Sequence, residues 1–280
     1  AGTSMGALVA GAYAAGLAPE VMRRELAKAD WNDMFIDNPD YSEMSYRNKA
    51  TLTRFLPGSE TGVSADGVRY QSGVVAGQKI KLFFNQLVRA NQGERNIEDL
   101  PLPLSIVATD IGNGDRVVFR DGSLTTAMRA SMSVPGLLAP VDYQGRKLVD
   151  GGLVDNVPIA EVRERCKADI VIAVNVGSPL MKAEDVGSLI TVSGQMVNIL
   201  TEQNVTRSLA LLRPNDIYIK PNLDGITAGD FPRHAETADR GRAAAEALMP
   251  NLQRLSQSEA AYLAWWKGIE GTSRVSPRID

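Results

Sequence analysis

Apolar residues recur along this chain with two periods. From Gln78 the positions Ile80, Phe83, Phe84, Leu87 and Val88 follow helical spacing, and so does a long amphipathic stretch over about 186–211. Residues 101–110 (PLPLSIVATD) instead hold a compact apolar strand, and 169–176 (DIVIAVNV) read as the clearest buried, parallel-type strand of the chain. Shorter strands are expected at 117–119, 147–149 and 216–220, with two more at 51–56 and 68–71 about a glycine-rich turn. Helices are expected over 7–15, where Gly16 stops the run, and from Pro19 to about Asp30. Further helices are expected over 124–132, 158–167, 235–248 and 256–267. Residues 31–50 mix Asn, Asp, Ser and Pro with aromatics and read as irregular. Strands alternating with helices predict an α/β sheet covered on both faces.

Composition narrows the function classes. At 280 residues and 30.2 kDa the chain can bury a sizeable core. A net charge of −3 with no Lys/Arg-rich block leaves a nucleic-acid partner without an electrostatic footprint. The single cysteine, Cys166, excludes an internal disulfide and a cysteine-based zinc cluster, and reads as a small apolar filler on a helix. No apolar run reaches the ~18–20 residues that span a bilayer. Repeats and low-complexity tracts are absent, and no linker interrupts 1–267. The reading is therefore one domain over 1–267, with a polar tail at 268–280 that marks a boundary.

The chemistry is concentrated at the start of the chain. Gly2-Thr3-Ser4-Met5-Gly6 matches G-x-S-x-G, the pattern of a nucleophile elbow, in which a strained serine caps a strand-to-helix turn. Gly2 and Gly6 would be glycines because a Cβ there collides with neighbouring backbone. Ala7, Ala10, Gly11, Ala12, Ala14 and Ala15 make a slim helix that can pack close beneath the turn. Its N-terminal dipole favours developing negative charge, and the Met5 amide is a natural oxyanion donor. A plain Gly/Ser turn at a helix start matches the same five residues. The strand before Gly2 is not in the sequence, so the domain is expected to lack its N-terminal strand.

A serine nucleophile needs a base. The single histidine, His234 in DFPRHAET, lies beside Arg233 and Glu236 at the start of a helix and reads as a solvated surface residue. A carboxylate is the stronger choice. Asp150 in LVDGGLVDNVPI ends a short apolar strand and is followed by Gly151 and Gly152, which allow close approach of backbone and substrate. A tight Asp-Gly turn is the bland alternative. Asp110 at the end of VATD is a rival, and Asp155 reads as a turn or capping residue.

Three separated segments together resemble the patatin-like phospholipases: GTSMG with its Ala/Gly-rich helix, AMRASMSVPGLLAPV, and LVDGGLVDNVPI, with VATDI and DIVIAVNV similar to core strands of that family. The resemblance covers about residues 1–265. It implies a three-layer α/β/α fold with a mostly parallel central sheet, and a Ser–Asp dyad in which Ser4 is the nucleophile and Asp150 the base. It further implies phospholipid or other acyl-ester substrates, contact with a membrane surface, and no metal or cofactor. The family's Gly-rich oxyanion loop is not matched in this sequence, so a weak or inactive enzyme is expected of these 280 residues alone. The tail Ser276-Pro-Arg-Ile-Asp280 resembles the opening of a POTRA domain, which implies an outer-membrane protein placed outside the cytoplasm, while the single cysteine suits a reducing cytosol equally and leaves that setting open. Two rival functions remain open: a Ser-His-Asp esterase using His234, and a catalytically inactive lipid-binding module.

Overall fold

The computed structural model describes residues 1–37, 41–54, 62–65, 67–69, 73, 75–89, 93–227 and 229–272. Strand β1 (Gly2–Thr3) leads into α1 (Met5–Ala14), followed by α2 (Pro19–Lys28), α3 (Trp31–Met34) and α4 (Tyr46–Arg54). Next come β2 (Gly62–Ser64), β3 (Gly67–Arg69), α5 (Gln78–Leu87), β4 (Ile106–Asp110), β5 (Arg116–Phe119) and α6 (Leu124–Ser131). The chain continues through β6 (Val141–Tyr143), β7 (Arg146–Asp150), α7 (Ile159–Cys166), β8 (Ile172–Val174), α8 (Leu189–Leu209) and β9 (Ile217–Ile219). Helices α9 (His234–Glu246), α10 (Met249–Gln253) and α11 (Glu259–Thr272) follow.

The central sheet is built around β4. On one side β1 pairs with it in parallel, Gly2 opposite Ile106 and Thr3 opposite Val107. On the other side β7 pairs antiparallel, Asp150 opposite Ala108, and β6 extends the sheet from β7. Strand β5 folds back antiparallel along β4, and β8 and β9 form a separate parallel pair. The expected α/β class holds, but the strand directions differ from a mostly parallel sheet. Of the four pairings in the sheet among the described residues only β1–β4 is parallel; β4–β7 is antiparallel, and β4–β5 and β6–β7 are hairpins, antiparallel by construction. The strand expected to be missing at the N-terminus is represented by Gly2–Thr3.

Every residue of β4 is buried, so both faces of the sheet are covered. Ile106 and Ala108 face a core formed with Ala7 and Ala14 of α1, Ile80 and Phe84 of α5, and Leu124, Ala127 and Met128 of α6. Each fully buried Leu, Ile or Phe there contributes about 1.5–3 kcal/mol. A Cβ on Gly11 would lie 3.0 Å from Met128 Sδ, which is why α1 is made of small residues where it crosses α6. On the opposite face Ser105 hydrogen-bonds Glu161 of α7, and a second core gathers Val157, Ile159, Val171, Ala173 and Val205. Helices on both sides of a sheet are the three-layer α/β/α arrangement.

Several local expectations change. Residues 51–54 belong to α4 rather than a strand, because Thr51 Oγ1 donates to the Arg47 carbonyl one turn back and the Ser45 hydroxyl caps the helix at the Asn48 amide. Residues 55–56 and 70–71 lie outside the described residues, as do 273–280 of the tail. The segment 31–50, expected to be irregular, holds α3 and the start of α4; Asp30 Oδ1 caps α3 by accepting from the Asn32 and Asp33 amides. The run 169–176 is buried on one face only: Val171 and Ala173 are inside, whereas Ile172 and Val174 are about half exposed. Cys166 is exposed rather than a filler. Met34, Phe35 and Leu137 pack on the core and Leu138 lies within it. Of the late tryptophans, Trp266 packs on Tyr13 with ring centroids 5.3 Å apart, while Trp265 is exposed.

Candidate functional site

The sheet register brings Ser4 and Asp150 together. Strand β1 runs parallel to β4 and ends opposite Val107, so the next residue, Ser4, stands level with Ala108. Asp150 on β7 pairs with that same Ala108 from the other side. Ser4 Oγ donates to Asp150 Oδ2 at 2.6 Å. Asp150 Oδ1 accepts from the Gly152 amide at 2.7 Å, and the Asp150 amide donates to the Ser133 carbonyl at 2.9 Å. Thr109 Oγ1 donates to the Asp150 carbonyl at 2.8 Å. The carboxylate is thus held at both oxygens and at its backbone.

Ser4 has φ 53° and ψ −125°, a left-handed conformation that costs a non-glycine residue about 1–3 kcal/mol. It is the strained turn that the G-x-S-x-G pattern predicts. Gly2 is required there, since a Cβ would lie 2.3 Å from the Gly6 carbonyl oxygen. Gly6 is not required for that reason: a Cβ on it would meet nothing within 4 Å. Its lack of a side chain instead leaves the space above the start of α1 open. Gly151 backs onto β4, where a Cβ would lie 2.3 Å from the Val107 carbonyl oxygen, and a Cβ on Gly152 would crowd Asp150 Oδ1 at 3.0 Å. Met5 and Gly6 are the first two residues of α1, so their amides have no acceptor within the helix.

Burial raises the Asp150 carboxyl to about 6, opposed by the hydrogen bonds from Ser4 and Gly152. Such a group is a far better proton acceptor near neutrality than a solvated aspartate, and at pH 7 it is still mostly ionised.

The other candidates lie elsewhere. Asp110 accepts from the Gly112 amide in the β4–β5 turn, with Arg146 3.8 Å away. Asp155 is no capping residue: it is buried, ion-paired to Arg116 at 2.6 Å, and its carbonyl accepts from Thr3 Oγ1. It therefore ties the chain just before Ser4 to the chain just after Asp150. His234 is half-buried rather than solvated. It packs 5.9 Å from the Trp31 ring, and its Nδ1 is 3.3 Å from the Phe231 carbonyl. A cleft of about 660 Å³ lined by Lys220, Asn222, Asp224 and Arg240 includes none of the Ser4 site residues.

Sequence reasoning assigned no role to Ser131 or Asn204, both buried. Asn204 and Thr201 on α8 donate to the Gly152 carbonyl at 2.8 and 2.9 Å, and the Asn156 amide donates to Asn204 Oδ1. Ser131 accepts from the Ser4 amide at 2.8 Å. The segment ASMSVPG was visible as a motif, but what its hydroxyls hold depends on strand register.

The Patatin family, described as patatin-like phospholipase, matches residues 1–163. An uncharacterized NTE family protein of Mycobacterium bovis is 35% identical over 186 residues, covering 66% of this chain and 42% of the relative. A second one from that organism is 31% identical over 194 residues, covering 61% and 33%. A lysophospholipase NTE1 of Debaryomyces hansenii is 27% identical over 190 residues, covering 59% and 12%. The chain thus spans less than half the length of these relatives.

Proposed function

Because the chain belongs to the patatin-like phospholipase family, we propose that it is a serine lipid acyl hydrolase, a phospholipase A or esterase that works through a Ser4–Asp150 dyad. The observation that carries this reading is the 2.6 Å hydrogen bond from Ser4 Oγ to a buried carboxylate whose affinity for protons is raised. The relative named lysophospholipase supports lysophospholipids and phospholipids as the substrate class.

In the first half-reaction Asp150 Oδ2 takes the hydroxyl proton as Ser4 Oγ bonds to the ester carbonyl carbon. The carbonyl oxygen becomes an oxyanion at the start of α1, where the Met5 and Gly6 amides and the helix dipole favour negative charge. Collapse breaks the ester C–O bond, and the Asp150 proton passes to the departing alcohol. A water then gives its proton to Asp150 and adds to the acyl carbon. The second collapse frees the fatty acid and returns the proton to Ser4 Oγ.

An extracytoplasmic, membrane-apposed setting belongs to the same reading and rests on the resemblance of residues 276–280 alone. The test is covalent labelling by a fluorophosphonate probe, beside hydrolysis of lysophosphatidylcholine vesicles. Assayed in the full-length protein, wild type and His234→Ala should label and turn over; Ser4→Ala and Asp150→Asn should do neither. Loss of labelling in His234→Ala would favour a Ser-His-Asp esterase. No labelling of folded wild type would favour a lipid-binding module.

A further inference from the structure

Strand β1 leaves the sheet in an unusual way. The Gly2 amide donates to the Ser105 carbonyl at 3.0 Å, the first rung of a parallel ladder. In such a ladder the donor two residues on meets the acceptor two residues on. The Ser4 amide is therefore due at the Val107 carbonyl. It goes instead to Ser131 Oγ at 2.8 Å, and Ser131 Oγ–H donates onward to the Val107 carbonyl at 2.6 Å. One hydroxyl is inserted into the rung. It satisfies both backbone groups while letting the chain swing away from β4 into the left-handed conformation of Ser4.

The surroundings fit such a task. Ser131 is fully buried at the last turn of α6, so no solvent replaces its hydroxyl. Two residues later the Ser133 carbonyl accepts from the Asp150 amide. The same short segment therefore touches the backbone of both members of the Ser4–Asp150 pair. It is itself anchored by Arg129, a buried cation that donates to the Ala76 and Ala139 carbonyls and to Ser133 Oγ.

Building on the hydrolase reading above, we propose that Ser131 is a positioning residue whose inserted hydroxyl sets the backbone of Ser4, and that α6 thereby fixes the distance between Ser4 and Asp150. Removing the hydroxyl leaves the Ser4 amide and the Val107 carbonyl without their shared partner, and the cheapest repair is direct pairing of the two. That repair would draw Ser4 toward β4 and take Ser4 Oγ out of the place that sets it 2.6 Å from Asp150 Oδ2.

The test compares, in the full-length protein, wild type, Ser131→Ala and Ala130→Gly, the last being a destabilising change at a fully buried neighbour in the same helix that leaves the hydroxyl in place. Labelling by the fluorophosphonate and hydrolysis of lysophosphatidylcholine are followed against pH, together with thermal melting. Ser131→Ala should lose about 10²-fold in kcat with KM retained, the effect of a displacement near 1 Å. Its acidic limb should move to higher pH, because the Ser4 hydrogen bond that holds Asp150 down is weakened. Ala130→Gly should melt earlier with the limb unmoved. Wild-type rates and an unmoved limb in Ser131→Ala, with wild type labelling normally, would overturn the role of Ser131 alone. Absence of labelling in wild type would overturn the hydrolase reading and this role with it. Should Ser131→Ala fail to fold, Ser131→Cys, with a longer and weaker donor, is read by the same limb and the same two outcomes.

Discussion

Ser4 Oγ lies 2.6 Å from Asp150 Oδ2, and that hydrogen bond works against the burial that raises the carboxyl to about 6. The base must be ionised to accept the serine proton. Hydrolysis should therefore fall about tenfold per pH unit below about 6 and level off above it, and a pH–kcat/KM profile reads this directly. A flat profile from pH 5 to 8 would rule out Asp150 as the base.

The same carboxyl makes folding pH-dependent in the reverse of the usual aspartate sense. Its proton is held more tightly in the folded state than in the unfolded one, so stability is greatest below the unfolded value near 4 and falls as pH rises through about 6. The span corresponds to about 3 kcal/mol. Asp150→Asn keeps the shape, can still accept from Gly152 and carries no charge. It should be inactive yet up to about 3 kcal/mol more stable than wild type at pH 8, with the difference vanishing near pH 4. Urea denaturation at the two pH values checks it.

The two glycines that flank Thr3-Ser4-Met5 should respond in opposite ways. Gly2→Ala drives a Cβ to 2.3 Å from the Gly6 carbonyl oxygen, backbone against backbone, and should destabilise by 1–3 kcal/mol or more, with labelling of Ser4 lost. Gly6→Ala meets open space in a helix that favours alanine, and should raise stability by up to about 1 kcal/mol. Melting temperatures of the pair decide it.

Legibility in the sequence followed locality. The strained serine and its slim helix were readable because a five-residue pattern and a run of alanines carry them. The partnership with Asp150 came through resemblance, since 146 residues separate the two and only the fold joins them, through β4 and the end of α6. Strand β6 went unread because three residues carry no periodicity; its signal was the Gln144-Gly145 turn, both with positive φ. Residues 51–54 were misread because threonine favours strands until its hydroxyl finds a carbonyl one helical turn back. Ser131 could not be read at all, because its partners are set by strand pairing far away in the chain.

Glu161 should prove structural. Its side chain is fully buried, with Arg120 Nε and Nη2 each 2.8 Å from its oxygens and Ser105 Oγ at 2.8 Å. The Arg120 hydrogen bonds lead in holding its carboxyl down to about 2. Its contribution is present above the unfolded value near 4.5 and is lost as pH falls toward 2. Glu161→Gln should cost about 1.5–3 kcal/mol at pH 7, less as the acid range is approached, with kcat unchanged. A changed kcat at full folding would show that the Ser105–Gly2 rung transmits strain to Ser4.

Strand β4 touches neither reacting side chain, its Thr109 reaching only the Asp150 carbonyl, yet it acts as the gauge of the site. Ser4 and Asp150 stand at one level on its two edges, so two interstrand spacings of about 4.8 Å set the span that their side chains must close. A glutamate at 150 would overreach that span by about one C–C bond, ~1.5 Å. The width of the sheet, more than acidity, dictates the shorter of the two carboxylates.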